Sequence, residues 1–133
     1  MALYSVDSCS YITTVPHKKD YDRWMKNLSS ADLQKIEDEL NQRFDQKDVD
    51  TAGWIPGSHW ENTVYYPIYL ACNKNVTQAG MFFGLIVWET LRSRSDVWGF
   101  GKYDIDGVEI GSFTYFRMAN PPSPLWHDPE KLL

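Results

Sequence analysis

The chain has 133 residues, of which 43% are hydrophobic and 23% charged, enough for one globular domain that needs neither a metal ion nor a disulfide. Its net charge of −5 would repel a phosphate backbone, which argues against nucleic acid as a partner. Its longest apolar run is shorter than the stretch of about 20 residues that a helix needs to span a bilayer. The spacing of its two cysteines matches neither a metal-binding motif nor a redox motif. We therefore expect a soluble, cytoplasmic protein with reduced thiols and no membrane partner.

The N-terminal residues 2–15 are rich in β-branched and aromatic side chains, which predicts a strand that Pro16 ends. Polar residues at positions 7, 8 and 10 are expected to bend this strand. A short helix over residues 20–27 follows. Ser29 then has the position of an N-cap for an amphipathic helix over about residues 30–45, whose buried stripe consists of Leu33, Ile36, Leu40 and Phe44.

The amphipathic helix and the loop after it hold the longest concentration of acidic residues in the chain, between Asp32 and Asp50. Such a surface favours a partner with a basic surface, because opposite charges steer association. The favoured interpretation is that this charge only keeps the protein in solution.

Residues 46–62 have no periodicity, and they combine turn-forming residues with two tryptophans, Trp54 and Trp60. Such a loop either covers the core or binds a ligand. His59 and Glu61 would share one side of an extended segment, as an acid–base pair or two metal ligands would. No third ligand lies at a recognisable spacing, so a polar pair on the surface is the simpler interpretation. We expect no metal site and no catalytic residue, and an enzyme is the less favoured class.

A short strand over residues 63–66 and a helix from Pro67 to about residue 73 come next. Asn75 then has the position of a cap for a helix over about residues 76–92, which is apolar on most sides. A helix of this kind must be covered from more than one direction, which predicts a buried central helix. Gly80 and Gly84 lie on one side of it and would admit a second backbone. A single kinked helix from Pro67 to residue 91 is the alternative.

Asp106-Gly107 between two alternating runs predicts a β-hairpin over about residues 96–105 and 108–118, because a type I′ turn needs positive φ at both of its central positions. This turn places Ile105 opposite Val108. The same register pairs Phe100 with Phe113, Trp98 with Tyr115 and Asp96 with Arg117 on one face.

Gly99 and Gly101 leave the other face of the hairpin without large side chains. The shallow groove that results would either receive a ligand or accommodate the central helix. Packing of the central helix is the favoured interpretation.

An aromatic cluster is the better candidate for a binding site. It consists of Trp54, Trp60, Trp98, Phe100, Phe113 and Tyr115. If the hairpin face that carries four of these residues lies away from the central helix, the loop, the C-terminal tail or a second subunit must cover it. Partial cover would leave an apolar pocket with His59, Glu61 and Arg117 as its polar groups.

Four short segments and one tryptophan carry a resemblance to a known group of proteins: Gly53-Trp54-Ile55-Pro56-Gly57, Trp60, Pro67-Ile68-Tyr69, Phe82-Phe83-Gly84-Leu85 and Trp98-Gly99-Phe100-Gly101. Together they resemble short uncharacterised bacterial proteins carried on mobile elements, such as integron gene cassettes. The resemblance covers about residues 51–118. It implies a small, soluble and often oligomeric protein, and it assigns no activity and no functional residues.

These patterns predict one α+β domain over residues 1–133, with a mainly antiparallel sheet, three or four helices against one face and a proline-rich tail from about residue 119. The leading hypothesis is a homo-oligomer, with a dimer favoured, that binds a small apolar or aromatic ligand through the aromatic cluster and needs no cofactor. The first alternative is a protein-interaction module of the immunity or inhibitor type, which uses the acidic helix at 30–45 against a basic partner. The second is a small hydrolase or lyase that uses His59 and Glu61.

Overall fold

The computed structural model of the chain describes residues 2–51, 60–101, 104–105, 108–109 and 113–121. These residues form four helices and seven short strands. In chain order they are β1 (Leu3–Ser5), β2 (Ser10–Tyr11), α1 (Lys18–Met25), α2 (Ser30–Asp45), β3 (Val49–Thr51), α3 (Tyr66–Ala71), α4 (Val76–Ser93), β4 (Trp98–Gly101), β5 (Asp104–Ile105), β6 (Val108–Glu109) and β7 (Thr114–Arg117).

Five of the strands form one mixed sheet in the order β2-β1-β4-β7-β3. Only the pairing of β1 with β4 is parallel, and the other neighbours are antiparallel. The strands β5 and β6 form a separate antiparallel pair. The predicted α+β class, with a mostly antiparallel sheet and a C-terminal strand pair, is confirmed.

The predicted N-terminal strand is two short strands joined by a turn. Tyr4 pairs with Tyr11, and their rings meet edge to face with centroids 5.0 Å apart. The turn between them includes Cys9, directly before β2, whose φ of 52° is a left-handed conformation. The expected bend at the polar positions 7–10 is therefore a complete reversal of the chain.

Both predicted helix caps are present. The Ser29 side-chain oxygen accepts a hydrogen bond from the backbone N–H of Asp32 at 3.1 Å, and α2 occupies the predicted residues 30–45. The Asn75 side-chain oxygen accepts one from the backbone N–H of Gln78 at 3.0 Å, and α4 begins at residue 76 as predicted. Each cap satisfies a helical N–H that has no partner inside its helix.

The region before α4 differs from the prediction. The expected strand over residues 63–66 is wrong, because the Thr63 hydroxyl accepts a hydrogen bond from the N–H of Tyr65 and stabilises a turn that leads into α3. Asn73 and Lys74 then adopt left-handed conformations with φ of 55° and 60°. Two such residues in succession interrupt the helix, so α3 and α4 are separate elements.

The helix α4 is covered from three directions. Phe82 contacts Trp24 of α1, Phe83 contacts Tyr65 before α3, and Trp88 contacts the sheet. Nine of its residues are buried, which confirms the predicted central helix. Two positions differ from the apolar pattern of this helix. The polar residue Thr90 is buried, with its hydroxyl donating to the Ile86 carbonyl at 2.7 Å, whereas the apolar residue Met81 is 46% exposed.

The predicted hairpin register is correct for the pair Ile105 and Val108, on either side of the predicted turn, and is displaced further along the strands. Ile105 pairs with Val108 as predicted, whereas Phe100 pairs with Tyr115 and Trp98 with Arg117. The displacement of two residues arises because four residues separate β6 from β7 and only two separate β4 from β5. A displacement of two leaves every side chain on its predicted face.

Candidate functional site

Three of the aromatic residues predicted to bind a ligand belong to the core. Trp98, Phe100 and Tyr115 are 0%, 5% and 3% exposed. The Trp98 ring lies 5.4 Å from that of Phe44 in α2, and the Phe100 ring lies 4.6 Å from that of Trp88 in α4. The condition under which the loop, the tail or a second subunit must cover this face is therefore not met at these residues, because α2 and α4 already cover them.

The glycine face of β4 is covered by a side chain of the sheet. A Cβ added at Gly99 would lie 2.7 Å from the Phe116 ring and 3.0 Å from the Met118 sulfur. Successive residues of a strand point to opposite faces, so Gly99 faces away from the helices that cover Trp98. The favoured interpretation, in which the central helix packs against the glycines, is wrong.

The other members of the aromatic cluster divide between two places. Phe113 is half-buried beside Trp88 and Phe100, with ring centroids 6.1 Å and 5.0 Å away. Trp60 instead stacks on Tyr69 at 6.1 Å and meets the edge of Phe83 at 6.0 Å. Phe83 and Trp88 are five residues apart and so project from α4 about 140° apart. Trp60 therefore does not join the cluster on the sheet.

The polar half of the predicted pocket is only partly described. Glu61 is exposed, whereas Trp54 and His59 lie outside the described residues. The small-molecule pocket and the acid–base pair of His59 and Glu61 therefore both stay predictions. In the part of the chain that the structure describes, no three His, Cys, Asp or Glu side chains come together to hold a metal ion.

Arg117, one of the polar groups of the predicted pocket, takes part in a network of contacts between β7 and α2. Its guanidinium lies 4.9 Å from the Trp98 ring centroid, donates to the Phe44 carbonyl at 2.5 Å and forms an ion pair with Asp96. Arg94 donates to both oxygens of Asp96 at 2.9 and 3.0 Å. Burial raises the pKa of Asp96, but hydrogen bonding to Arg94 and attraction by both guanidiniums outweigh it, so that the pKa is lowered to about 2. This network ties β7 to the end of α2.

A polar cleft of about 470 Å³ opens between α2 and the C-terminal end of α4. Charged and hydrogen-bonding side chains dominate its wall, with three carboxylates against one guanidinium. The main contributors are Tyr21, Glu37, Asn41, Asp45, Glu89 and Arg94. At neutral pH the wall is therefore negatively charged overall.

The nearby arginines are already bound to other groups. Arg92 donates to both oxygens of Glu89 at 2.7 and 2.9 Å. Arg94 donates to Asp45 at 2.6 Å and to the Asn41 side chain at 2.9 Å, in addition to its bonds with Asp96. Both guanidiniums therefore already pair with carboxylates, and neither of them neutralises the remaining carboxylate in the wall of the cleft.

Glu37 is the carboxylate that remains. It is half-buried, and among the described residues it has neither a hydrogen-bond nor an ion-pair partner. Burial and the neighbouring charge of Asp38 raise its pKa. Burial, with Glu89 and Glu37 adding to the effect, also raises the pKa of Tyr21 to about 12. The wall of the cleft therefore carries an excess of negative charge.

Sequence reasoning identified the acidic helix but not the cleft. Glu37, on α2, and Glu89, on α4, are 52 positions apart, and only the packing of α2 on α4 brings them to one wall. One signal was present in the sequence: Glu37 follows the buried Ile36 directly, which places it at the edge of the apolar stripe of α2.

Among the described residues no helix is both long and apolar enough to cross a bilayer. Comparison with known proteins gave no match to a protein-family profile, to a curated protein or to a solved structure. The resemblance to proteins of mobile elements therefore stays a prediction.

Proposed function

We propose that this protein is a protein-interaction module that binds a basic segment of a partner protein, and that the cleft between α2 and the end of α4 receives an arginine or lysine side chain of that segment. The observation that carries the proposal is Glu37, a half-buried carboxylate with no cation of its own among the described residues. A cationic side chain in the cleft would form the charge-assisted hydrogen bonds that Glu37 lacks.

The distribution of charge supports this proposal. Residues 32–50 contain seven acidic and three basic side chains, so they carry a net charge of −4 out of the −5 of the chain. The cleft lies on this segment, with Asp45 at its wall. A basic partner would be steered toward the same surface that contains its binding site, and the association rate would fall with added salt.

The energetic state of Glu37 also supports it. Its pKa is raised in the folded protein, so folding favours the protonated form and the ionised form reduces stability. The stability that Glu37 contributes is therefore fully present below its ordinary pKa. It is lost as the pH rises through the raised pKa of the folded protein. A carboxylate that reduces stability at neutral pH, in a cleft, is typical of a functional position.

The binding test compares two neighbours on α2 that carry the same charge. Glu37 lines the cleft, whereas Asp38 is exposed and accepts a hydrogen bond from Gln34 at 2.8 Å. Titration with a fluorescent hexa-arginine peptide should give an affinity that Glu37→Gln weakens by roughly tenfold, because a hydrogen bond to a charged group contributes about 1.5–3 kcal/mol. Asp38→Asn removes the same charge and should change the affinity less than about twofold, as exposed charges do.

The pattern of results distinguishes a site from general attraction. Equal weakening by the two substitutions would show that the peptide responds only to net charge, and the proposal would fail. Urea unfolding of Glu37→Gln provides a second test, because the variant should be at least as stable as the wild type at neutral pH and equal to it in acid. A clear loss of stability would mean that the carboxylate serves the fold.

A further inference from the structure

Starting from the function proposed above, on which this step rests, we propose that the cleft prefers arginine to lysine and that the Tyr21 hydroxyl determines the preference. Two half-buried side chains of the cleft wall, Tyr21 and Glu37, have no hydrogen-bond partner among the described residues. The wall therefore offers a neutral oxygen in addition to a carboxylate. A side chain that enters the cleft can use both only if it has several N–H groups to donate.

The position of Tyr21 brings its hydroxyl close to the carboxylates of the wall. Its ring lies on α1 and packs against Phe82 of α4, with centroids 6.0 Å apart in an edge-to-face arrangement. Burial, and then the charges of Glu89 and Glu37, raise the pKa of Tyr21 to about 12. The hydroxyl therefore stays protonated at neutral pH, and its oxygen can accept a hydrogen bond without adding a negative charge.

Acceptors on different helices favour a guanidinium over an ammonium. Tyr21 belongs to α1 and Glu37 to α2, so the two acceptors approach a ligand from separate elements. A guanidinium is a flat fork with five N–H donors, and it can bind both oxygens of a carboxylate while it donates to a third acceptor. An ammonium concentrates its donors on one nitrogen and is more strongly hydrated, so it loses more on entering a half-buried site.

The same wall already contains a guanidinium that is bound in this way. Arg94 donates to the Asn41 side chain at 2.9 Å and to Asp45 at 2.6 Å through different nitrogens. In the described part of the chain, a lysine pairs with a carboxylate only between Lys18 and Asp22, where both side chains are more than half exposed. Acceptors beside this cleft are therefore matched by a fork of donors, which is the arrangement that we infer for the partner.

The experiment compares two fluorescent peptides of equal length and charge, hexa-arginine and hexa-lysine, by anisotropy titration of the full chain. Tyr21→Phe removes the hydroxyl and keeps the ring that packs against Phe82. Tyr66→Phe is the matched control, because Tyr66 is half-buried on α3 and does not line the cleft. Thermal unfolding of each variant establishes that it is folded.

We expect the wild type and Tyr66→Phe to bind hexa-arginine roughly tenfold more tightly than hexa-lysine, because the guanidinium makes a charge-assisted hydrogen bond that the ammonium does not. Tyr21→Phe should weaken the binding of hexa-arginine by roughly tenfold and change that of hexa-lysine less than about twofold. The preference, which is a difference between two affinities, should then nearly vanish.

Equal affinity of the wild type for the two peptides would overturn the inference. A preference for hexa-arginine that Tyr21→Phe leaves unchanged would also overturn it, because the preference would then come from general properties of the peptides. The proposed function fails separately, if Glu37→Gln and Asp38→Asn weaken the binding of hexa-arginine equally. A wild type that binds both peptides equally, and loses affinity for both on Glu37→Gln, would refute only the preference for arginine.

Discussion

Replacing Asp96 by asparagine should destabilise the fold by about 2 kcal/mol at neutral pH, because the pKa of Asp96 falls from 3.8 to about 2 in the folded protein and each unit corresponds to about 1.4 kcal/mol. Its side chain is 26% exposed, so solvent screens the interaction only in part. A lowered carboxyl pKa contributes stability that is present above the ordinary pKa and lost as the pH falls. The difference between wild type and variant should therefore shrink between about pH 4 and pH 2.

The assay is urea unfolding of both proteins across this pH range. All other carboxyl groups are common to the two proteins, so their titration cancels in the difference. Asp45→Asn is the control: Asp45 binds the same Arg94 but is 66% exposed, and its loss should cost less than about 1 kcal/mol. A difference for Asp96→Asn that persisted unchanged to pH 2 would refute an electrostatic origin and indicate that packing causes the loss.

Two further results should follow from the packing of the core. Gly99→Ala should lower the free energy of unfolding in urea by about 1 kcal/mol, because the new methyl group meets the Phe116 ring. In a Phe116→Leu background the same substitution should have almost no effect. An equal loss in both backgrounds would exclude this contact as the cause. A thiol reagent at mildly alkaline pH should modify the exposed Cys9 and leave Cys72 unmodified until the protein unfolds. The reason is that Cys72 is buried and that burial raises the pKa of its thiol to about 11. Rapid reaction of both thiols in the folded protein would contradict this expectation.

The helices of the core could be predicted from sequence because their signals are local. Ser29 and Asn75 fix the starts of α2 and α4 within one turn, and the 3.6-residue spacing of large apolar residues identifies the buried side. The strand β3 was missed because it has only three residues, with Asp50 at its centre. Asp50 is fully buried and forms an ion pair with Arg43 at 2.5 Å. No local sequence pattern predicts this contact.

Tertiary contacts explain the remaining differences. Asp106 and Gly107 lie outside the described residues, but the pairing predicted beside them, Ile105 with Val108, is present. The register at Phe100 depends on how many residues separate the strand segments and is displaced by two. Which face of the hairpin meets the helices also cannot be read from alternation, since both faces alternate equally well. For the same reason the sequence indicated the charge of α2 but not the cleft that Glu37 lines.

The order of strands in the sheet has a consequence for biosynthesis. Leu3 pairs with Trp98 and Thr51 with Thr114, so both early strands need partners that are translated about half a chain or more later. The helices depend on nearby residues and can form as they emerge, whereas strand pairing across such separations is slow. Until β4 and β7 have left the ribosome, the aromatic side chains of α2 and α4 that face the sheet have no native cover. We therefore expect the nascent chain to be most prone to aggregation during the synthesis of its last third.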